Sequence, residues 1–180
     1  RPNLLTFDMG GTTAKASLIR NGLYETTPEY EVAGGASANR WMNGAGHPIR
    51  VPVIDLAEVS AGGGSIAWVD PAGGIRVGPK SAGAEPGPVC YGRGGTEPTV
   101  TDCNLILGNL DADSLLGGEM HINFDAASAA ISEKLAMPLG LTVEAAAAAV
   151  IDVVNHSMAE ALKIVSVERG HDPRDFTLAA

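Results

Sequence analysis

The sequence predicts an α/β fold, and three observations predict it. In residues 1–110 short apolar runs alternate with glycine-rich turns, which is a β-rich pattern. In residues 111–180 glycine and proline thin out, alanine dominates, and one long stretch repeats with helical period. A last run, Asp175-Phe176-Thr177-Leu178-Ala179-Ala180, starts a strand after that helix. The chain therefore reads as one partial domain over 1–180, β-rich with glycine loops first and mainly helical after. A strand-like run begins almost at residue 1, there is no initiating Met, and a strand starts at the far end. The expectation is a truncated piece of a longer protein.

The first element is Leu4–Asp8, an apolar run ending in a carboxylate. Gly10-Gly11-Thr12-Thr13 follows, then a second run, Ala14-Lys15-Ala16-Ser17-Leu18-Ile19, closed by the turn Asn21-Gly22. Two chemistries suit this stretch. One is phosphate binding: Gly10 and Gly11 let backbone N–H groups crowd onto an anion, and Thr12 and Thr13 add hydroxyls. Asp8 would repel a phosphate, so its sensible partner is a hydrated Mg²⁺ beside one. Lys15 adds a positive charge of unsettled direction. The other reading is a plain β-hairpin with a surface Asp. Neither common nucleotide loop is present: there is no G-x-x-x-x-G-K-[ST], and the glycines lead into a strand rather than a helix.

The meander ends with Tyr30–Val32, and Gly34-Gly35-Ala36-Ser37 breaks it. Residues 37–50 read as irregular. His47 has no second His or Cys at ligand spacing, so it reads as a solvated side chain. Ile49–Ile54 reads as a strand running into Asp55-Leu56-Ala57-Glu58-Val59-Ser60-Ala61-Gly62-Gly63-Gly64-Ser65. Gly62, Gly63 and Gly64 either line a second wall of a nucleotide or substrate cleft, with Asp55 or Glu58 near a metal, or make a tight turn between strands. Ile66–Val69 and Ile75–Val77 flank the hairpin turn Asp70-Pro71-Ala72-Gly73-Gly74.

Residues 78–95 are too rich in Gly and Pro for helix or central strand. Lys80 and Arg93 are the cations there. Cys90 reads as a small packed thiol rather than a nucleophile, because nothing nearby in sequence activates it. Thr101 or Asp102 is expected to cap a short helix that stops at Gly108. Asp125 is expected to cap a helix over Ala126–Ala136, ended by Pro138. Thr142 caps the main helix, whose apolar face is Val143, Ala147, Val150, Val154, Met158, Ala161 and Val165, closing at Gly170. His156 and Glu160 lie four apart on it and read as a solvated pair.

Composition narrows the function. Hydrophobic content is 45% but aromatic content only 4%, so the core is built from Ala, Val, Leu and Ile. The net charge of −9, with no basic block, disfavours nucleic acid and anionic membrane as partners. No run reaches the roughly 18 apolar residues of a membrane span, and Arg1-Pro2-Asn3 begins no signal-peptide core. Cys90 and Cys103, without C-x-x-C spacing, fit a reducing cytoplasm.

Several segments in one order resemble the hydantoinase A / 5-oxoprolinase family. They are Asp8-Met9-Gly10-Gly11-Thr12-Thr13, Glu58–Ala67, Val77–Pro88, Cys90–Gly95, Pro98–Asp102 and Ser166–Arg174, nearly the whole chain. The resemblance implies an actin-like, ribonuclease H-related ATPase architecture. It implies ATP and Mg²⁺ as cofactors, with Asp8 as catalytic and metal-binding residue and Gly10, Gly11, Thr12, Thr13, Lys15 and Gly62–Gly64 around the nucleotide. A second D-x-G-G-T loop is expected before residue 1 and the adenosine-side glycines after Ala180. The implied activity is ATP-dependent hydrolysis of a cyclic amide, as in hydantoinases and 5-oxoprolinases, alongside a second, hydantoinase B-type subunit. The alternatives are an acetone or acetophenone carboxylase-type subunit and a non-catalytic assembly domain. Two departures stand out: many members carry Asp at the position of Lys15, and Cys103 replaces a usual Ala.

Overall fold

The computed structural model describes residues 2–28, 30–32, 47–113 and 120–180. The chain forms two compact units, each drawn from separate stretches. The break at Gly34–Ser37 and most of the irregular segment after it lie outside the described residues.

The first unit comprises Arg1–Met9, Thr13–Val59 and Ser157–Ala180. Its centre is a mixed sheet. Strand β1 (Leu4–Met9) pairs antiparallel with β2 (Ala14–Arg20), placing Leu5 opposite Leu18 and Phe7 opposite Ala16. The alternate set, Thr6 opposite Ser17 and Asp8 opposite Lys15, lies on the other face, where the Thr6 and Ser17 hydroxyls are 2.7 Å apart. Asn21 at φ 53° and Gly22 at φ 78° make the two-residue turn into β3 (Leu23–Tyr24). The same edge of β2 then accepts β8 (Ala57–Val59), while β11 (Thr177–Ala179) runs parallel to β1 on the opposite edge.

Two smaller ribbons complete this unit. Strand β4 (Thr26–Thr27) pairs with β7 (Val53–Ile54), and β5 (Tyr30–Val32) pairs with β6 (His47–Ile49). The single strand expected over Ile49–Ile54 is therefore two strands, interrupted around Pro52, which has no N–H to give a ladder. The core joins Leu5, Ala16, Leu18 and Ala57 to Ala161 and Val165, from the end of the long helix α4 (Val143–Val165).

The second unit comprises Gly10–Thr12 and Ser60–His156. Strands β9 (Ser65–Val69) and β10 (Ile75–Ser81) form a hairpin. Asp70 shapes its turn: the carboxylate accepts N–H bonds from Ala72 at 3.0 Å and Gly74 at 2.8 Å, and Arg76 Nε donates to it at 2.7 Å. The Gly74 bond, then Arg76, holds the Asp70 carboxyl below its usual range. Strand β10 runs four residues past Val77, through Gly78 at φ 69°, so strand extends further into the Gly/Pro segment than composition suggests.

Helix α1 (Val100–Ile106) begins with a capping box in which Thr99, two or three residues before the expected caps, is the N-cap and Asp102 reaches back to it. Helix α2 (Phe124–Ile131) is capped by Asn123 rather than Asp125, since the Asn123 side chain accepts the Ala126 N–H at 2.9 Å. It runs on through a π-helical turn, Ser132–Ala136, into α3 (Met137–Leu139) and stops at Gly140, φ 65°. Pro138 sits in the first turn of α3, where no helical partner for its nitrogen is needed, so it does not end the helix. Thr142 caps α4 as the sequence indicates, accepting the Ala145 N–H at 3.1 Å. Ala147, Val150, Val154, Ala161 and Val165 of the expected face are buried. The α-helix itself ends at Val165, and a 3₁₀ turn, Val167–Arg169, carries the chain to Gly170.

Candidate phosphate loop and its braces

The turn after β1 is held by the three glycines of the Ala61–Ser65 segment. Gly63 donates its N–H to the Gly10 carbonyl at 3.0 Å, and Gly64 donates to the Gly11 carbonyl at 2.6 Å. Gly62 donates to Ser65 Oγ at 2.9 Å. All three amides are thus bonded inside the protein, which leaves none of these N–H groups free to donate to a nucleotide. They brace the Gly10–Thr12 turn instead. The need for glycine is steric at Gly62, where a Cβ would lie 2.6 Å from the backbone N and C of Thr12. Thr101 anchors the brace from the other side, giving both its N–H and its hydroxyl to the Gly63 carbonyl at 2.8 Å.

With its carbonyls engaged, the turn still faces solvent: Asp8, Met9, Gly10, Gly11 and Thr12 are all exposed. A Cβ at Gly11 would meet nothing within 4 Å, so open space adjoins the backbone there. That geometry fits close approach of an anionic oxygen. Thr12 Oγ1 lies 3.3 Å from Ser81 Oγ, which also accepts the Gly83 N–H at 3.1 Å. Sequence reasoning missed Ser81, because only the fold of the β9–β10 hairpin brings it to the turn.

In the first unit, Asp8 lies at the end of β1 opposite Lys15, and Lys15 in turn lies opposite Glu58 on β8. Residues directly opposed across a ladder share a face. Carboxylate, ammonium and carboxylate thus occupy successive strands, on the face away from Leu5, Ala16 and Ala57. Lys15 has the direction the sequence left open: it shares Asp8's face of the sheet. Among the described residues no group of three or more His, Cys, Asp or Glu side chains assembles as a metal site. A lone exposed carboxylate suits Mg²⁺, which keeps several waters and relies on one or two carboxylates plus substrate phosphates.

Other candidates resolve into structure. Asp55 bonds Arg169 Nη1, and Arg169 also reaches Glu25 at 3.5 Å, so that carboxylate serves an ion cluster rather than a metal. Asp102 is fully buried and accepts four bonds, from the N–H of Val89 at 3.2 Å, of Cys90 at 2.8 Å and of Thr99 at 2.8 Å, and from Thr99 Oγ1 at 2.8 Å. It ties the Gly/Pro segment to α1. Burial, then the Asp102 charge, pushes the Cys90 thiol far up and Cys103 up to about 12, so neither is a thiolate nucleophile. Arg93 lies 6.0 Å over the Tyr91 ring.

The whole chain, residues 1–180, matches the family model described as Hydantoinase/oxoprolinase. The chain belongs to the hydantoinase/oxoprolinase family. Hydantoinase/oxoprolinase relatives include an uncharacterised protein of Methanocaldococcus jannaschii, 57% identical over 97% of this chain and 25% of that protein. The caprolactamase subunit alpha of Pseudomonas jessenii is 47% identical over 98% of this chain and 24% of its own length. The solved ATP-dependent caprolactamase superposes with TM-score 0.80 over 98% of this chain and 24% of that one. Nucleotide-free acetone carboxylase superposes with TM-score 0.85 at 30% identity, over 98% of this chain and 23% of that one. This hydantoinase/oxoprolinase chain thus spans about a quarter of the length of the relatives it matches.

Proposed function

We propose that this chain supplies one phosphate loop of an ATP-dependent enzyme that hydrolyses a cyclic amide. The observation that carries the reading is the braced, exposed turn at Gly10–Thr12 with open space at Gly11. Gly10, Gly11, Thr12 and Thr13 hold the nucleotide phosphates, and Asp8 accepts the metal-bound waters. Lys15, opposite Asp8, limits the local build-up of negative charge. When bound, Mg-ATP supplies the phosphoryl group that turns an unreactive amide oxygen into a leaving group. Gly62–Gly64 hold the turn in shape, which spares the reaction the cost of ordering it. An actin-like architecture for the whole protein, a cytoplasmic location and a hydantoinase B-type partner subunit belong to the same proposal. The relative called caprolactamase subunit alpha supports a multi-subunit enzyme.

The amide reading rests on 47% identity to the caprolactamase subunit, against 40% to an acetophenone carboxylase subunit. The higher TM-score to acetone carboxylase supports a second reading, an ATP-using ketone carboxylase subunit. The test is phosphate release by the full-length protein with its partner. Lactam-dependent release without bicarbonate supports hydrolysis, and release that needs both a ketone and bicarbonate supports carboxylation. Asp8→Ala lowers either activity by on the order of 100-fold or more. Unchanged turnover in that variant overturns the assignment of the loop.

A further inference from the structure

Beside the phosphate loop, Ile66 and residues of the segments Lys80–Gly87 and Gly94–Glu97 line a cleft of about 370 Å³. That volume lies at the small end of ligand pockets, roughly 300–1,000 Å³. Ser81 is the link: it lines the cleft, and its hydroxyl is 3.3 Å from that of Thr12 on the turn. Gly64 packs under this link, since a Cβ there would lie 3.0 Å from Ser81 Oγ. The cleft is therefore fixed to the turn through one shared hydroxyl pair.

Its lining is mostly apolar, and its charges are balanced. Glu97 is matched by Lys134 Nζ at 2.6 Å, and the remaining ionic residues, Lys80 and Glu85, are one cation and one anion. The hydroxyls of Ser81 and Thr96 each donate and accept, which suits a carbonyl oxygen or an amide N–H. No surplus charge is available to offset the desolvation of a carboxylate.

We infer that this cleft binds the acceptor of the phosphoryl group, and that the acceptor is an uncharged carbonyl compound such as an unsubstituted lactam rather than a carboxylated one. The inference rests on the phosphate-loop reading and adds the place and the charge class of the second substrate. Ser81 is a positioning residue that aligns the cleft with Thr12. Thr96 is a binding residue.

The test uses the assembled full-length enzyme, with ε-caprolactam and 5-oxoproline as probes and Mg-ATP binding followed separately by calorimetry. Ala82→Phe fills the cleft and raises KM for ε-caprolactam more than about 10-fold, while the Kd for Mg-ATP stays within about two-fold. Thr96→Val keeps the shape, removes one hydrogen bond and raises that KM about 5- to 10-fold. Glu85→Gln leaves a net positive charge and shifts the kcat/KM ratio toward 5-oxoproline by at least about three-fold. Unchanged KM in both Ala82→Phe and Thr96→Val, or a wild type that prefers 5-oxoproline, overturns the cleft assignment or its charge class even when Mg-ATP binds normally. A folded wild type that binds no Mg-ATP overturns the phosphate-loop reading instead.

Discussion

A methyl group on Gly62 would sit 2.6 Å from the amide nitrogen of Thr12. Real Cβ atoms do not approach backbone so closely, so the turn and its brace are shaped as one piece. Gly62→Ala must push the Gly10–Thr12 turn away. It destabilises the protein by about 1–3 kcal/mol and raises KM for ATP at least about 10-fold. Gly11→Ala is the matched control, because its Cβ enters open space. It changes stability by less than about 0.5 kcal/mol yet lowers ATP affinity, as calorimetry and thermal unfolding together will read. Equal ATP affinity in Gly11→Ala and wild type would place the phosphates elsewhere.

Asp102 makes a second prediction. Replacing it with Ala strands three buried N–H groups and a hydroxyl, and urea unfolding of the full-length protein should show a loss of about 3–5 kcal/mol. Asp102→Asn can keep the three bonds accepted by Oδ2 and lose only that from Cys90, for about 1–2 kcal/mol. Equal losses in the two variants would contradict this account.

Arg169 and Asp55 give a third. Their side chains are only 29% and 13% exposed, so the pair is screened less than a surface bridge. A double-mutant cycle of Arg169→Ala with Asp55→Asn should return a coupling of about 1–3 kcal/mol. Both contacts come from the single atom Nη1, so Arg169→Lys should restore part of that coupling.

The thiols give a pH dependence. Cys103 ionises near its ordinary value of 9.0 when unfolded and only at about 12 when buried. The unfolded chain therefore loses that proton first, and the stabilisation present below pH 9.0 declines as pH rises toward 12. Cys103→Ala should flatten that alkaline decline in stability. In native protein at pH 8, a thiol reagent should find neither Cys90 nor Cys103, and both after unfolding.

Much of this was legible in the sequence where the information is local. The β1–β2 hairpin follows from two apolar runs around a Gly-Gly turn, and α4 follows from apolar residues spaced by threes and fours behind Thr142. What was not legible depends on which distant strands pair. Lys15 becomes a neighbour of Glu58 only because β8 joins β2, and Ser81 meets Thr12 only because β10 overruns its expected end. The role of Gly62–Gly64 was half legible. Three glycines announce close backbone approach, but not whether a ligand or the protein itself makes it. The helix caps slipped by two or three residues because Asn123 and Thr99 compete with Asp125, Thr101 and Asp102 for the same N–H groups.

The turn Gly10–Thr12 belongs to one unit while the residues on both sides of it belong to the other, and β1 pairs with β11 only near the far end of the chain. No single cut releases either unit whole. On a ribosome, β1 emerges before β11 and must wait for Thr177–Ala179 before this parallel neighbour exists. Until then that edge of β1 lacks the β11 ladder.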